Sequence, residues 1–191
     1  MNVLNNIGGK MKHLLLTLMV AFSFSANAEV RYLALGYQTG DIDVDGDTFD
    51  VSDISLDFIG TNGNIIFSTG VGAGTVDDVY GYDLDFVSQD INLGYAFGDL
   101  TEGSFVLGAS YVSGEIQVPG SSNYESSETD AYIGYAKMSG EDVDYSITLS
   151  DGVFSAMAFV ELGEGNNLRA SIGFANSDDM DALSFGLALK F

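Results

Sequence analysis

Four aspartates at alternate positions offer the oxygen ligands that hard metal ions bind. The stretch DIDVDGD contains Asp41, Asp43, Asp45 and Asp47. This spacing matches the first half of a twelve-residue calcium-binding loop, D-x-D-x-D-G. The match then fails, because the twelfth position is Ser52 where such a loop carries glutamate. Two interpretations follow: a solvated acidic loop, or a weaker Ca²⁺ or Mg²⁺ site at the aspartates.

Catalysis is not expected of this chain. Its one histidine, His13, lies close to the N-terminus, and it has no cysteine. Without these residues the usual means of activating a serine or cysteine nucleophile, and the commonest transition-metal ligands, are missing. We therefore predict a non-enzymatic protein with no cofactor, apart from Ca²⁺ or Mg²⁺ at the acidic segment.

The first 28 residues have the pattern of a secretory signal peptide. Lys12 precedes an apolar run, and Ala26-Asn27-Ala28 supplies the small residues of a cleavage site. The predicted organisation is a signal peptide over residues 1–28, with Met11 as an alternative start, followed by one domain over residues 29–191. The pattern predicts export from the cytoplasm.

The exported part of the chain is strongly acidic. Residues 1–28 contain two of the six Lys and Arg residues and none of the 28 Asp and Glu residues, so four bases remain against all 28 acids. A protein that binds nucleic acid needs a basic surface to neutralise phosphates. The composition therefore excludes nucleic acid as a partner.

Residues 29–191 alternate between apolar and small side chains and show no sustained helical period. A repeat of two residues is typical of a strand, so we predict ten strands. Their predicted ranges are 30–39, 51–60, 64–75, 86–97, 103–118, 128–138, 142–150, 153–162, 167–175 and 182–191. Merging the strands on either side of SDG (150–152) would give eight. Short turns are predicted to alternate with longer acidic loops, among them 40–50 and 119–127.

The two faces of the strands differ in a way that favours a barrel. One face carries the bulky apolar residues, and the other is mainly Gly, Ala, Ser and Asn, as in Leu168, Ile172 and Phe174 against Ser171 and Gly173. Small residues suit the concave interior of a closed barrel, and bulky residues on its outside require lipid around them. The predicted fold is all-β, a closed antiparallel up-and-down transmembrane β-barrel.

The C-terminal stretch SFGLALKF resembles the assembly signal of outer-membrane barrels. The matching residues are Ser184, Gly186, Leu189 and the terminal Phe191. With the signal peptide and the strand pattern, the chain resembles the small bacterial outer-membrane β-barrel family, which includes opacity-protein-like and porin-like barrels. The resemblance implies residence in the cell outer membrane, contact with its lipid and lipopolysaccharide, and the barrel-assembly machinery as a partner during biogenesis.

Three charged residues are predicted to face the interior of such a barrel. Arg169 lies on the small-residue face, and Asp57 and Asp90 are carboxylates on the same type of face. They would form either an ion pair that closes the lumen or a charged constriction in a pore. Two functions stay open: a narrow pore that prefers cations, or a plugged barrel whose acidic loops serve divalent-cation binding, adhesion or envelope stabilisation.

Overall fold

A computed structural model describes residues 29–163 and 165–191, so the predicted signal peptide lies outside the described residues. The described chain forms ten β-strands, which confirms the predicted number. The strands are β1 (Val30–Val44), β2 (Asp47–Asn62), β3 (Ile65–Val79), β4 (Tyr82–Ala96), β5 (Ser104–Gln117), β6 (Tyr124–Lys137), β7 (Val143–Ser150), β8 (Val153–Glu161), β9 (Leu168–Ser177) and β10 (Met180–Lys190). No helix among the described residues has the length and hydropathy to cross a membrane.

The strands close into an antiparallel barrel in which each strand pairs with its neighbours in the chain. The first and last strands form the closing seam, with register pairs running from Tyr32 opposite Lys190 to Ile42 opposite Met180. Closure pairs both edges of the sheet and leaves no open edge. The predicted fold class is therefore confirmed.

The two ends of the barrel differ. We call the end that carries Glu29 and Phe191 the terminal end and the opposite one the hairpin end. Strands β1–β6 are 14 to 16 residues long, whereas β7–β10 have 8 to 11. The first three hairpins therefore form a taller wall at the hairpin end than the last two.

The predicted long acidic loop over residues 40–50 is wrong. Strands β1 and β2 continue through it and meet in a two-residue turn, in which Asp45 and Gly46 have φ angles of 56° and 90°. Asp151 and Gly152 join β7 to β8 in the same way, with φ of 42° and 78°. Positive φ at both central residues matches the twist of the flanking strands, which is why Asp-Gly favours tight hairpins. Longer connections occur at the terminal end, over 97–103 and 138–142, and at the hairpin end over 118–123, within the loop predicted for 119–127.

The outside of the barrel is an apolar belt. Its side chains alternate with the inward ones along each strand and remain exposed to the surroundings. They include Leu33, Leu35, Ile54, Leu56, Leu93, Leu107, Ile133, Ile147, Ile172, Leu183 and Leu187. Aromatic residues border this belt at the terminal end, where Phe105 contacts Tyr135 and Tyr95 contacts Phe97 at centroid distances of 5.4 and 5.5 Å.

Buried apolar side chains fill the interior near the terminal end, and we call this cluster the terminal core. Its members are Val30, Tyr32, Ala34, Ala96, Leu100, Val106, Tyr132, Ala136, Met138, Phe159 and Ala188. They come from inward positions of the strands and from two terminal-end connections. Apolar side chains therefore block the lumen near the terminal end.

Candidate functional site: the acidic cavity

A cavity of about 760 Å³ lies inside the barrel between the terminal core and the hairpin end. Its floor is apolar and includes Ile66, Val106 and Met157, while the walls above carry hydroxyl and amide groups such as Ser110 and Asn92. A volume of this order is typical of small-molecule sites. We call it the acidic cavity because five carboxylates line it.

Two of these carboxylates face each other across a glycine. Asp57 of β2 lies opposite Gly70 of β3, and Gly70 lies opposite Asp90 of β4. Ser55 donates a hydrogen bond to Asp57 at 2.7 Å, and Asn92 donates one to Asp90 at 2.8 Å. A methyl group at Gly70 would lie 2.3 and 2.5 Å from the two carboxylates, so only glycine leaves both of them room.

The other three carboxylates meet nearer the hairpin end. One oxygen each from Glu128, Asp130 and Asp151 lies within 4.8 Å of the others. The first two belong to β6, and Asp151 comes from the turn between β7 and β8. Sequence reasoning missed this group because only the barrel register brings the β7–β8 turn beside β6. Among the described residues that line the cavity, none is Lys or Arg, so no base neutralises these acids.

The predicted metal ligands in the first hairpin are not gathered into one site. Asp41 and Asp43 lie on β1, Asp45 in the turn and Asp47 at the start of β2. Val44 pairs with Asp47, so their side chains share one face of the sheet. Because side chains alternate along a strand, Asp41 and Asp43 lie on the opposite face. Thr48 donates a hydrogen bond of 2.5 Å to Asp43.

Asp41 lies instead beside acids of neighbouring strands. It pairs in register with Asp50 on one side and with Asp181 on the other. The pKa of Asp41 is raised above its ordinary value of 3.8, first by a hydrogen bond with Asp50, then by desolvation and by the surrounding negative charges. Crowding of like charges in the tall wall raises its affinity for protons, and the same field attracts other cations.

Arg169 is not close to Asp57 or Asp90 in the register. It is the second residue of β9 and lies at the terminal end, where it pairs with Glu161 of β8 at 2.6 Å. Its Nη2 donates to the carbonyl oxygen of Gly140 at 3.0 Å. The ion pair of Arg169 is therefore made with Glu161 at the terminal end, and not with Asp57 or Asp90.

The C-terminal residues lie on the closing strand. Ser184 faces the acidic cavity, and Gly186 lies opposite Gly36 at the seam. Leu189 and Phe191 are half exposed on the outside, and the Phe191 backbone N–H donates to the Arg31 carbonyl at 3.2 Å. The terminal residue is thus held by the first strand. Its role in assembly stays a prediction.

Comparison with known proteins yields matches among solved structures alone. No protein-family model and no curated protein matches the chain. The neisserial surface protein A structure is 13% identical, covers 84% of this chain and 97% of its own, and has a TM-score of 0.48. The structure of Ail from Yersinia pestis, solved with the heparin analogue sucrose octasulfate, is 15% identical. It covers 85% of this chain and 98% of its own, with a TM-score of 0.41. The translocator domain of the autotransporter NalP from Neisseria meningitidis is 13% identical. It covers 96% of this chain and 97% of its own, with a TM-score of 0.44.

At these TM-scores the assignment rests on this chain's own geometry. The closed order of ten antiparallel strands and the outward apolar belt are those of a transmembrane β-barrel. The chain has the architecture of small outer-membrane β-barrels, as its sequence predicts.

Proposed function

We propose that this protein is an integral outer-membrane barrel that is closed at the periplasmic side and holds cations in a cavity open to the outside. It carries out no catalysis. The observation that carries this proposal is the terminal core, which fills the barrel below the acidic cavity. Of the two functions left open by the sequence, this packing favours the plugged barrel over the passive pore.

The placement in the membrane follows from the outer surface. Exposed leucines and isoleucines circle the barrel, and burying them in lipid stabilises it by about 25 cal/mol per Å² of apolar surface. Aromatic residues at the terminal end suit the interface with lipid headgroups. With an even number of strands and the predicted export, the terminal end faces the periplasm and the hairpin end faces outside.

The preference for cations follows from the uncompensated carboxylates. Asp57 and Asp90 flank Gly70 inside the barrel, where unpaired charges are costly unless a counter-ion approaches. The acidic tall wall above them concentrates positive ions at the mouth. Ca²⁺ and Mg²⁺ fit the oxygen ligands present, and at the cell surface they would bridge the acidic hairpins to the phosphates of lipopolysaccharide.

Two measurements on the refolded full chain test the proposal. In planar bilayers the wild-type protein is expected to show no discrete conductance steps, once heat-modifiable gel mobility has verified folding. In urea unfolding, Ca²⁺ should raise the midpoint by mass action, since it binds the folded state preferentially. The double variant Asp57→Asn and Asp90→Asn should lose most of that increase.

A matched control separates the cavity from general acidity. Asp142→Asn removes an exposed carboxylate in a terminal-end turn and should keep the full Ca²⁺ effect. Frequent cation-selective steps in the wild type would refute closure. A Ca²⁺ effect that survives unchanged in the double variant would refute Asp57 and Asp90 as the ligands of the ion.

A further inference from the structure

We propose a second activity for this barrel: conditional passage of small cations, gated by the β6–β7 turn over residues 138–142. In this mechanism the turn is a hinged part of the terminal closure, and Asp144 is the residue that locks it. The inference rests on the proposed function, because it requires that the barrel be closed while the turn is in place.

One side chain of this turn separates two cavities. Met138 is 4% exposed and lines the floor of the acidic cavity. It also lines a second cavity of about 470 Å³ at the terminal end, together with Asn64, Asp99 and Ser139. The Met138 backbone N–H donates to the Leu100 carbonyl at 2.8 Å, which keeps the turn folded inward. Displacing Met138 would therefore join the acidic cavity to the terminal-end cavity.

Asp144 holds the turn through both of its carboxylate oxygens. Its side chain is fully buried. Its Oδ1 accepts hydrogen bonds from the backbone N–H and the hydroxyl of Ser139, at 2.7 and 3.0 Å, and its Oδ2 accepts the Gly140 N–H at 2.8 Å. A single residue thus fixes two consecutive residues of the turn, and hydrogen bonds to a charged group are the strong ones.

The same carboxylate also holds a tyrosine of the terminal core. The hydroxyl of Tyr32 donates to Asp144 Oδ2. The Tyr32 ring stacks on Phe159 with a centroid distance of 4.7 Å and an interplanar angle of 4°. Since β1 and β8 are not neighbours in the barrel, Tyr32 lies across the lumen. Loss of Asp144 would release this crossing side chain and the turn together.

Polar contacts secure the turn from the other side. The Gly140 carbonyl accepts hydrogen bonds from Arg169 and from Lys190. Gly140 has a φ of +71°, a left-handed conformation that favours glycine. The turn is therefore held by hydrogen bonds on two sides and by the packing of Met138.

Arg169 links the turn to the neighbouring strands. Its buried guanidinium donates through Nη1 to Glu161 of β8 at 2.6 Å and through Nη2 to the Gly140 carbonyl at 3.0 Å. The turn is thus connected to the barrel wall through one arginine.

Single-channel recording on refolded full-length variants tests the gate. Asp144→Asn keeps the shape of the side chain and removes its charge. We expect its open probability to exceed that of the wild type by at least about tenfold, since it loses charge-assisted hydrogen bonds. The open state should select K⁺ over Cl⁻ because Asp57 and Asp90 line the path. Asp142→Asn, the matched control in the same turn, should stay silent.

Met138→Ala keeps the test decisive if Asp144→Asn fails to fold. It shortens the separating side chain without touching a hydrogen bond and should also conduct. Silence of both Met138→Ala and every folded Asp144→Asn sample, with a silent wild type, would overturn the gate and leave the closed barrel standing. Conductance of the wild type equal to that of the variants would overturn the closed barrel as well.

Discussion

Replacing Gly186 with alanine should prevent tight closure of the barrel. Gly186 lies opposite Gly36 in the pairing of β10 with β1, where the two ends of the sheet meet. A methyl group at position 186 would lie 2.5 Å from the Leu35 carbonyl oxygen and 3.0 Å from the Gly36 Cα. Both are backbone atoms, so relief requires the two strands of the seam to separate.

The expected cost can be set against the ordinary gain of alanine. Overpacking typically destabilises a protein by about 1–3 kcal/mol. Alanine in a strand interior is otherwise better than glycine by roughly 0.5–1 kcal/mol, because it restricts the unfolded chain. The net change in the free energy of unfolding for Gly186→Ala is therefore a loss of about 1 kcal/mol, with an upper limit of about 2.5 kcal/mol.

Gly114 of β5 provides a matched control. The nearest atom to a methyl group there is the Val87 carbonyl oxygen at 3.6 Å, an ordinary contact. Gly114→Ala should therefore be neutral or stabilising by about 0.5 kcal/mol. Urea unfolding in liposomes, with the folded fraction read from gel mobility, measures both. A midpoint for Gly186→Ala at or above that of Gly114→Ala would refute the seam argument.

Three further changes have expected outcomes. Because the pKa of Asp41 is raised, its favourable contribution to the free energy of unfolding is present below pH 3.8 and is lost as the pH rises through the raised value. Asp41→Asn should therefore have a higher urea midpoint than the wild type at pH 7 and an equal midpoint at pH 3. The hydroxyl and backbone N–H of Thr101 lower the pKa of Asp99, so Asp99→Asn should lower the midpoint at pH 7 and lose this effect as the pH falls below 3.8. Phe191→Ala removes a ring 6.1 Å from that of Phe58 and should cost about 1 kcal/mol and slow the appearance of the folded gel band.

The strand count and the choice of outward face followed from the sequence because side chains alternate strictly. Leu168, Ile172 and Phe174 face outward, as their spacing predicts. The height of the hairpins could not be predicted from the sequence. Asp is depleted in strands, so an acidic run favours the prediction of a loop. The Asp-Gly pairs at 45–46 and 151–152 were the signal for tight turns in these places.

The grouping of carboxylates required the register. Glu128 and Asp130 are two residues apart, which places them on one face, but nothing local brings Asp151 to them. Strand β6 pairs with β7 only from Tyr132 onward, opposite Ser150, so the short β7–β8 hairpin ends at the level of Asp130. Unequal strand lengths therefore create this meeting point, and a pattern read strand by strand carries no information on it.

Closure of the lumen depends on how inward residues are graded along the barrel axis. A period of two tells which residues face inward but treats all of them alike. Averaged over each strand, the inward face is small and polar, which suits an open pore. Along the axis, however, the bulky inward residues of the terminal core, such as Tyr32, Val106 and Phe159, lie at the terminal end, and Ser110 and Ser155 lie beyond them. Antiparallel strands run toward and away from the terminal end in turn, so the bulky inward residues come early in odd-numbered strands and late in even-numbered ones. A plug assembled from single residues of many strands therefore leaves no contiguous motif in the sequence.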